Sequence, residues 1–140
     1  MVERKKHSGY QKDEDRRDKM ILADTNVWIK HFRESDAELI EYLNIGFIVC
    51  HPFIIGELAC GNLANRAEIL MLLQALPSTP VVEPTELLYF IENKSLMGRG
   101  LGYIDIHLLA SAIMGNVALW TYDRRLHEAA TELDASYLKI

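Results

Sequence analysis

Four carboxylates stand apart from the other acids of this 140-residue chain, because each is set in or against apolar sequence. Asp24 directly follows Met20-Ile21-Leu22-Ala23, and Asp123 follows the run that ends at Thr121. Glu57 lies within Phe53-Ile54-Ile55-Gly56-Glu57-Leu58-Ala59, and Asp105 sits among Tyr103, Ile104, Ile106, Leu108 and Leu109. A carboxylate in such surroundings must be paired, hydrogen-bonded or metal-bound, since an isolated buried charge costs several kcal/mol or more. Basic partners are scarce: beyond residue 19 there are eight, Lys30, Arg33, Arg66, Lys94, Arg99, Arg124, Arg125 and Lys139, against fifteen acids. Clustered carboxylate oxygens suit a hard divalent cation, Mg²⁺ or Mn²⁺, whereas zinc prefers His or Cys. The five histidines, His7, His31, His51, His107 and His127, offer no paired zinc spacing, and Cys50 and Cys60 lie in no CxxC or CxxH. The chemistry such an ion supports is phosphodiester hydrolysis: it polarises a phosphoryl oxygen, activates a water for in-line attack and stabilises the leaving oxygen.

Each acid also has a plainer reading. Asp24 and Asp123 both precede helical stretches and suit an N-cap. Asp105 lies near a helix start, where the dipole favours negative charge. Glu57, amid Ile, Leu and Ala, has few such roles. The shortage of internal cations favours one shared acidic site over four separate structural duties.

The elements that must position these acids follow from hydrophobic periodicity. Short apolar runs alternate with helical patterns, as in an α/β domain. Strands are expected at 20–23, 47–50, 80–82 and 117–121, with a possible last one at 136–138. Helices are expected at 25–32, after a cap at Ser35 or Asp36, from about 52 to 63, at 67–76, after a Thr85 cap, at 104–114 and at 123–133. In open parallel sheets ligands bind beyond the carboxyl ends of strands, which puts Asp24 and Asp123 on one rim. Gly98-Arg99-Gly100-Leu101-Gly102 follows a helix and lacks both GxGxxG spacing and a P-loop Lys, so it is not a nucleotide cradle.

Composition bounds the rest. With 49% hydrophobic and 25% charged residues the chain reads as one globular domain. Its longest aliphatic run, Ile69 to Leu73, cannot span a bilayer, and the start does not read as a secretory signal, so a cytoplasmic location is expected. Residues 1–19 carry seven basic and five acidic residues with only Met1, Val2 and Tyr10 from the apolar set. They are expected to form a disordered extension or an added segment, with the domain proper at 20–140. That domain has a net charge of −7. It is no general nucleic-acid binder, and a divalent cation is the obvious means of meeting phosphates.

Ala23-Asp24-Thr25-Asn26-Val27-Trp28-Ile29, Ile55-Gly56-Glu57-Leu58, Gly102-Tyr103-Ile104-Asp105-Ile106-His107-Leu108-Leu109-Ala110-Ser111-Ala112 and Leu119-Trp120-Thr121-Tyr122-Asp123-Arg124-Arg125-Leu126 resemble, in order and interval, the four signature segments of PIN domains. More closely, they resemble the ribonuclease toxins of VapBC-type toxin–antitoxin pairs. The resemblance covers residues 20 to about 138; residues 1–19 match nothing in the family. It implies a PIN-like (Rossmann-like) α/β/α sandwich with a mainly parallel central sheet, and a Mg²⁺- or Mn²⁺-dependent endoribonuclease leaving 5′-phosphate and 3′-hydroxyl ends. Asp24, Glu57, Asp105 and Asp123 fall on the family's acidic positions: Asp24 and Asp123 as principal ligands, Asp105 as a ligand directly or through water, Glu57 as a ligand or water-positioning base. Thr25, Asn26 and Thr121 match residues that brace such a site. The resemblance further implies a homodimer and inhibition by a small antitoxin whose C-terminal tail enters the acidic groove.

For RNA phosphates the candidates are Arg99, Lys94, Arg124 and Arg125; the last two serve equally well as ordinary exposed helix residues. Trp28 and Trp120 flank the site but suit the core better than base stacking. Met71 and Leu72 fit a core or a dimer surface. Two rival readings share the fold class: a phosphohydrolase with Asp24 as nucleophile, against which Asn26 stands where a second Asp is needed, and a non-catalytic PIN-like RNA-binding or assembly module, which would not need all four acids.

Overall fold

Ile21-Leu22-Ala23 form the central strand β1 (Ile21–Ala23), buried on both faces as a helix-covered parallel strand must be. It pairs in parallel with β2 (Ile48–Val49), Ile21 opposite Ile48, and with β3 (Ala118–Trp120), Ile21 opposite Ala118 and Ala23 opposite Trp120. The order is β2-β1-β3. The fold is that of a computed structural model, which describes residues 19–137. Expectations for residues 1–18 and for Leu138 lie outside the described residues.

Seven helices flank the strands among the described residues, two between β1 and β2, four between β2 and β3 and one after β3: α1 (Thr25–Glu34), α2 (Ala37–Asn44), α3 (Pro52–Ala59), α4 (Arg66–Ala75), α5 (Pro84–Asn93), α6 (Tyr103–Met114) and α7 (Arg124–Glu132). This is an α/β fold with a wholly parallel sheet, as expected. Sequence punctuation explains most boundaries. Asp36 caps α2 by accepting the Leu39 N–H, Pro52 and Pro84 occupy first turns where no N–H is needed, and α6 stops at Gly115. No helix among the described residues is long and apolar enough to cross a membrane.

Three expectations give way to local chemistry. The strand at 80–82 does not form; Ser78 pairs with Cys50 instead, because Pro80 has no N–H for a ladder. Val82 is buried all the same. The helix after Pro52 ends at Ala59 rather than near 63, where the Arg66 guanidinium donates to the free Ala59 and Gly61 carbonyls. The cap of α5 is Glu83 rather than Thr85, with Glu86 accepting the Glu83 N–H. Ser136 makes a single bridge to Leu119. Trp28 and Trp120 are both core residues.

Candidate active site

The carboxyl ends of β1 and β3 lie side by side, so the chain leaves both at one rim. The Asp24 N–H still joins the ladder, donating to the Trp120 carbonyl at 2.8 Å, and its side chain then begins α1. Asp24 Oδ1 accepts the Thr25 N–H at 2.7 Å, and Oδ2 accepts the Thr121 hydroxyl at 2.7 Å and the Asn26 amide at 3.4 Å. Thr121 Oγ1 in turn accepts the Asp123 N–H at 3.0 Å, and Asn26 Oδ1 accepts the Tyr122 N–H at 3.1 Å. Thr121 and Asn26 thus bolt the segment carrying Asp123 to the end of β1. Both hydrogen-bond the Asp24 carboxylate, as Thr25 does through its N–H.

The plainer readings and the shared site turn out to be compatible. Asp123 caps α7, accepting the Leu126 N–H at 3.0 Å. Asp105 sits in the first turn of α6 and accepts the Gly102 N–H at 2.9 Å. The helices capped by Asp24 and Asp123 begin just past the ends of β1 and β3, so these capping acids stand at the sheet rim.

Glu57 corrects an expectation: it is exposed, despite its apolar neighbours. Ile54 and Leu58, four residues apart, take the buried face of α3, and Glu57 shares the open side with Gly56. Its Oε1 accepts the Thr25 hydroxyl at 2.6 Å, which ties α3 to the start of α1 beside Asp24.

Electrostatics couple the four. Burial pushes the Asp24 carboxyl above its ordinary range; the Thr121 and Thr25 hydrogen bonds oppose this, and the charges of Asp105 and Glu57 add to it. Asp105 is raised by burial as well, with Gly102 opposing and Asp123 and Glu57 adding. Among the described residues none of the four forms an ion pair; the ion pairs there join Lys30 to Asp36, Arg33 to Glu34 and Arg99 to Glu132. Nor is any group of three His, Cys, Asp or Glu side chains there already gathered to hold a metal. Repelling one another, the acids spend their oxygens on helix caps and on Thr25. The donor set is nonetheless all oxygen, negative and uncompensated, which fits a hard divalent cation.

Of the phosphate-binding candidates, Arg124, Arg125 and Lys94 are exposed. Arg99 is engaged: its two terminal nitrogens donate to the two Glu132 oxygens at 2.8 and 2.9 Å. Tyr103 and Tyr122, which sequence reasoning passed over, stand exposed beside Asp105 and Asp123. Their place within two residues of a site acid at a helix start was the available signal.

Residues 21–132 match the PIN domain family. The chain is similar to "Ribonuclease VapC32" of Mycobacterium tuberculosis, in strains CDC 1551 / Oshkosh and ATCC 25618 / H37Rv alike: 46% identical over 114 residues, covering 81% of this chain and 92% of the relative.

Proposed function

The chain belongs to the PIN domain family, and on that premise we propose that it is a VapC-type toxin: an endoribonuclease that hydrolyses RNA at the rim formed by Asp24, Glu57, Asp105 and Asp123. The observation that carries the assignment to this rim is four carboxylates in one another's field, none of them in an ion pair among the described residues. Asp24, Asp105 and Asp123 would hold Mg²⁺ or Mn²⁺, with Glu57 as a further ligand or as the base that orients water. Such an ion, when bound, would supply positive charge to polarise the scissile phosphate and lower the pKa of the attacking water.

The residues around it do the positioning. Thr121 and the Thr25 N–H keep the two Asp24 oxygens apart and fixed. The Thr25 hydroxyl orients Glu57, whose exposed carboxylate would position the attacking water. Arg124 and Arg125, beside Asp123, attract the RNA backbone to an otherwise acidic domain.

The partners follow from the same assignment: RNA as substrate and a cognate antitoxin as inhibitor. A homodimer is supported by Met71 and Leu72, both exposed on α4 beside an apolar groove of about 300 Å³ lined by Trp28, Phe32, Leu43 and Leu73. A cytoplasmic location accords with an RNA substrate. The decisive experiment incubates the chain with RNA and Mg²⁺ or Mn²⁺ and sequences the new ends. Cleavage with 5′-phosphate ends is expected, and an Asp24→Asn variant should lose roughly 10²-fold or more in rate. Full activity in that variant would overturn the assignment.

A further inference from the structure

The segment between α5 and α6 has no regular structure, yet it is held at several points. Leu96 is buried, and Ser95, Gly98 and Gly100 adopt positive φ of 54°, 71° and 78°. Arg99 reaches from it to Glu132, the last residue of α7, through two charge-assisted hydrogen bonds. Arg125, in the first turn of α7, lies directly over Gly100: a Cβ there would stand 2.5 Å from Arg125 Nη1 and 2.9 Å from its Cδ. The segment ends at Gly102, whose N–H donates to Asp105 Oδ2. Helix α7 itself begins at Asp123. One helix therefore carries one site acid at its cap and grips, through Glu132 and Arg125, the loop that orients another.

We propose that Arg99 and Glu132 are positioning residues: their ion pair, with Arg125 seated on Gly100, fixes residues 98–102 against α7 so that Gly102 holds the Asp105 carboxylate in register with Asp123 for a divalent cation. The proposal rests on the nuclease assignment above and gives Arg99 a part other than contact with phosphate. The pair is partly exposed, so it adds little to stability. Its effect is on geometry, in the way that outer hydrogen-bond partners orient metal-binding carboxylates. Glu132 is the discriminating residue, because an anion has no attraction for phosphate.

The test uses the full chain as wild type, Arg99→Gln, Glu132→Gln and the exchanged double variant Arg99→Glu with Glu132→Arg. Three quantities are measured: Mn²⁺ affinity by calorimetry, kcat and KM on RNA, and hydrogen exchange at the Gly102 amide. Both single variants should weaken Mn²⁺ binding about 10- to 100-fold and lower kcat with little change in KM. Both should also speed Gly102 exchange, and the exchanged pair should restore most of each property. An Arg99→Gln variant that raises KM alone beside a neutral Glu132→Gln would overturn the proposal in favour of a phosphate contact. Unchanged Gly102 exchange in both single variants would overturn it as well. A wild-type chain that neither binds Mn²⁺ nor cuts RNA would sink the nuclease assignment instead, and Gly102 exchange would still decide the clamp.

Discussion

Asp24 and Asp105 hold their negative charge at a cost to the fold. Both carboxyls are raised above their ordinary value by burial and by neighbouring acids. A carboxyl raised in the folded state binds its proton more tightly there than in the unfolded chain. The resulting stability is present below the ordinary value of 3.8 and is lost as pH rises through the raised one. At neutral pH, without metal, Asp105→Asn should therefore melt at a higher temperature than wild type while losing most of its Mn²⁺-induced shift; a lower melting temperature in a chelator would contradict the repulsion. Thr121 is the complementary case, since its hydroxyl lowers the Asp24 pKa. Thr121→Val should weaken Mn²⁺ binding about 10- to 100-fold and Thr121→Ser should largely restore it, as read by calorimetry. The threonine at 121 was legible as a brace only through family resemblance. Nothing in its neighbours announces that one hydroxyl serves both Asp24 and the Asp123 backbone.

Helices α3 and α6, which carry Glu57 and Asp105, are joined at the level of elements by a buried histidine. His51 Nδ1 caps α3 by accepting the Phe53 N–H, which leaves the ring proton on Nε2, 3.1 Å from Ser111 Oγ on α6. The Phe53 ring packs edge-on against both His51 and His107, and Tyr103 packs edge-on against His107. Burial, with the His107 charge adding, pushes His51 down from 6.5 to about 4; burial lowers His107 too. Here the sign is opposite to that of the acids. Both states are neutral above 6.5, the unfolded chain takes up protons first as pH falls, and stability drains away until His51 itself protonates near 4. The His51 contribution, read as the difference between wild-type and His51→Asn denaturant titrations, should be lost between about pH 6.5 and 4. His51→Asn, which keeps a cap acceptor, should flatten that slope by up to one proton; an unchanged slope would place the titration elsewhere. Sequence periodicity located both helices, but not the face of α3 on which Glu57 falls, because Ile, Leu and Ala surround it on every side in the sequence.

For the whole molecule, the consequence of an uncompensated acidic rim is that a divalent cation should act as a stabilising ligand. An ion that binds only the folded state at 100 times its Kd adds about 2.7 kcal/mol. Melting temperature should therefore climb steadily with Mg²⁺ or Mn²⁺ concentration, and a flat response up to millimolar metal would count against the site. Proton and metal compete for the same oxygens, so Mn²⁺ affinity should fall as pH drops toward the raised carboxyl values. Calorimetry at stepped pH reads this directly.

What the chain order alone determined is the alternation of buried strands with capped helices, the presence of acids just beyond β1 and β3, and the shortage of cations to neutralise them. These are local or compositional properties, written in periodicity, in turn residues and in counts. Only tertiary structure decided that Glu57 faces outward toward Thr25, that Ser78, outside the strand expected at 80–82, reaches β2's neighbour Cys50, and that Arg99 is held by Glu132. Each of those depends on a contact between residues far apart in sequence, and periodicity carries no information about which partner an exposed side chain meets.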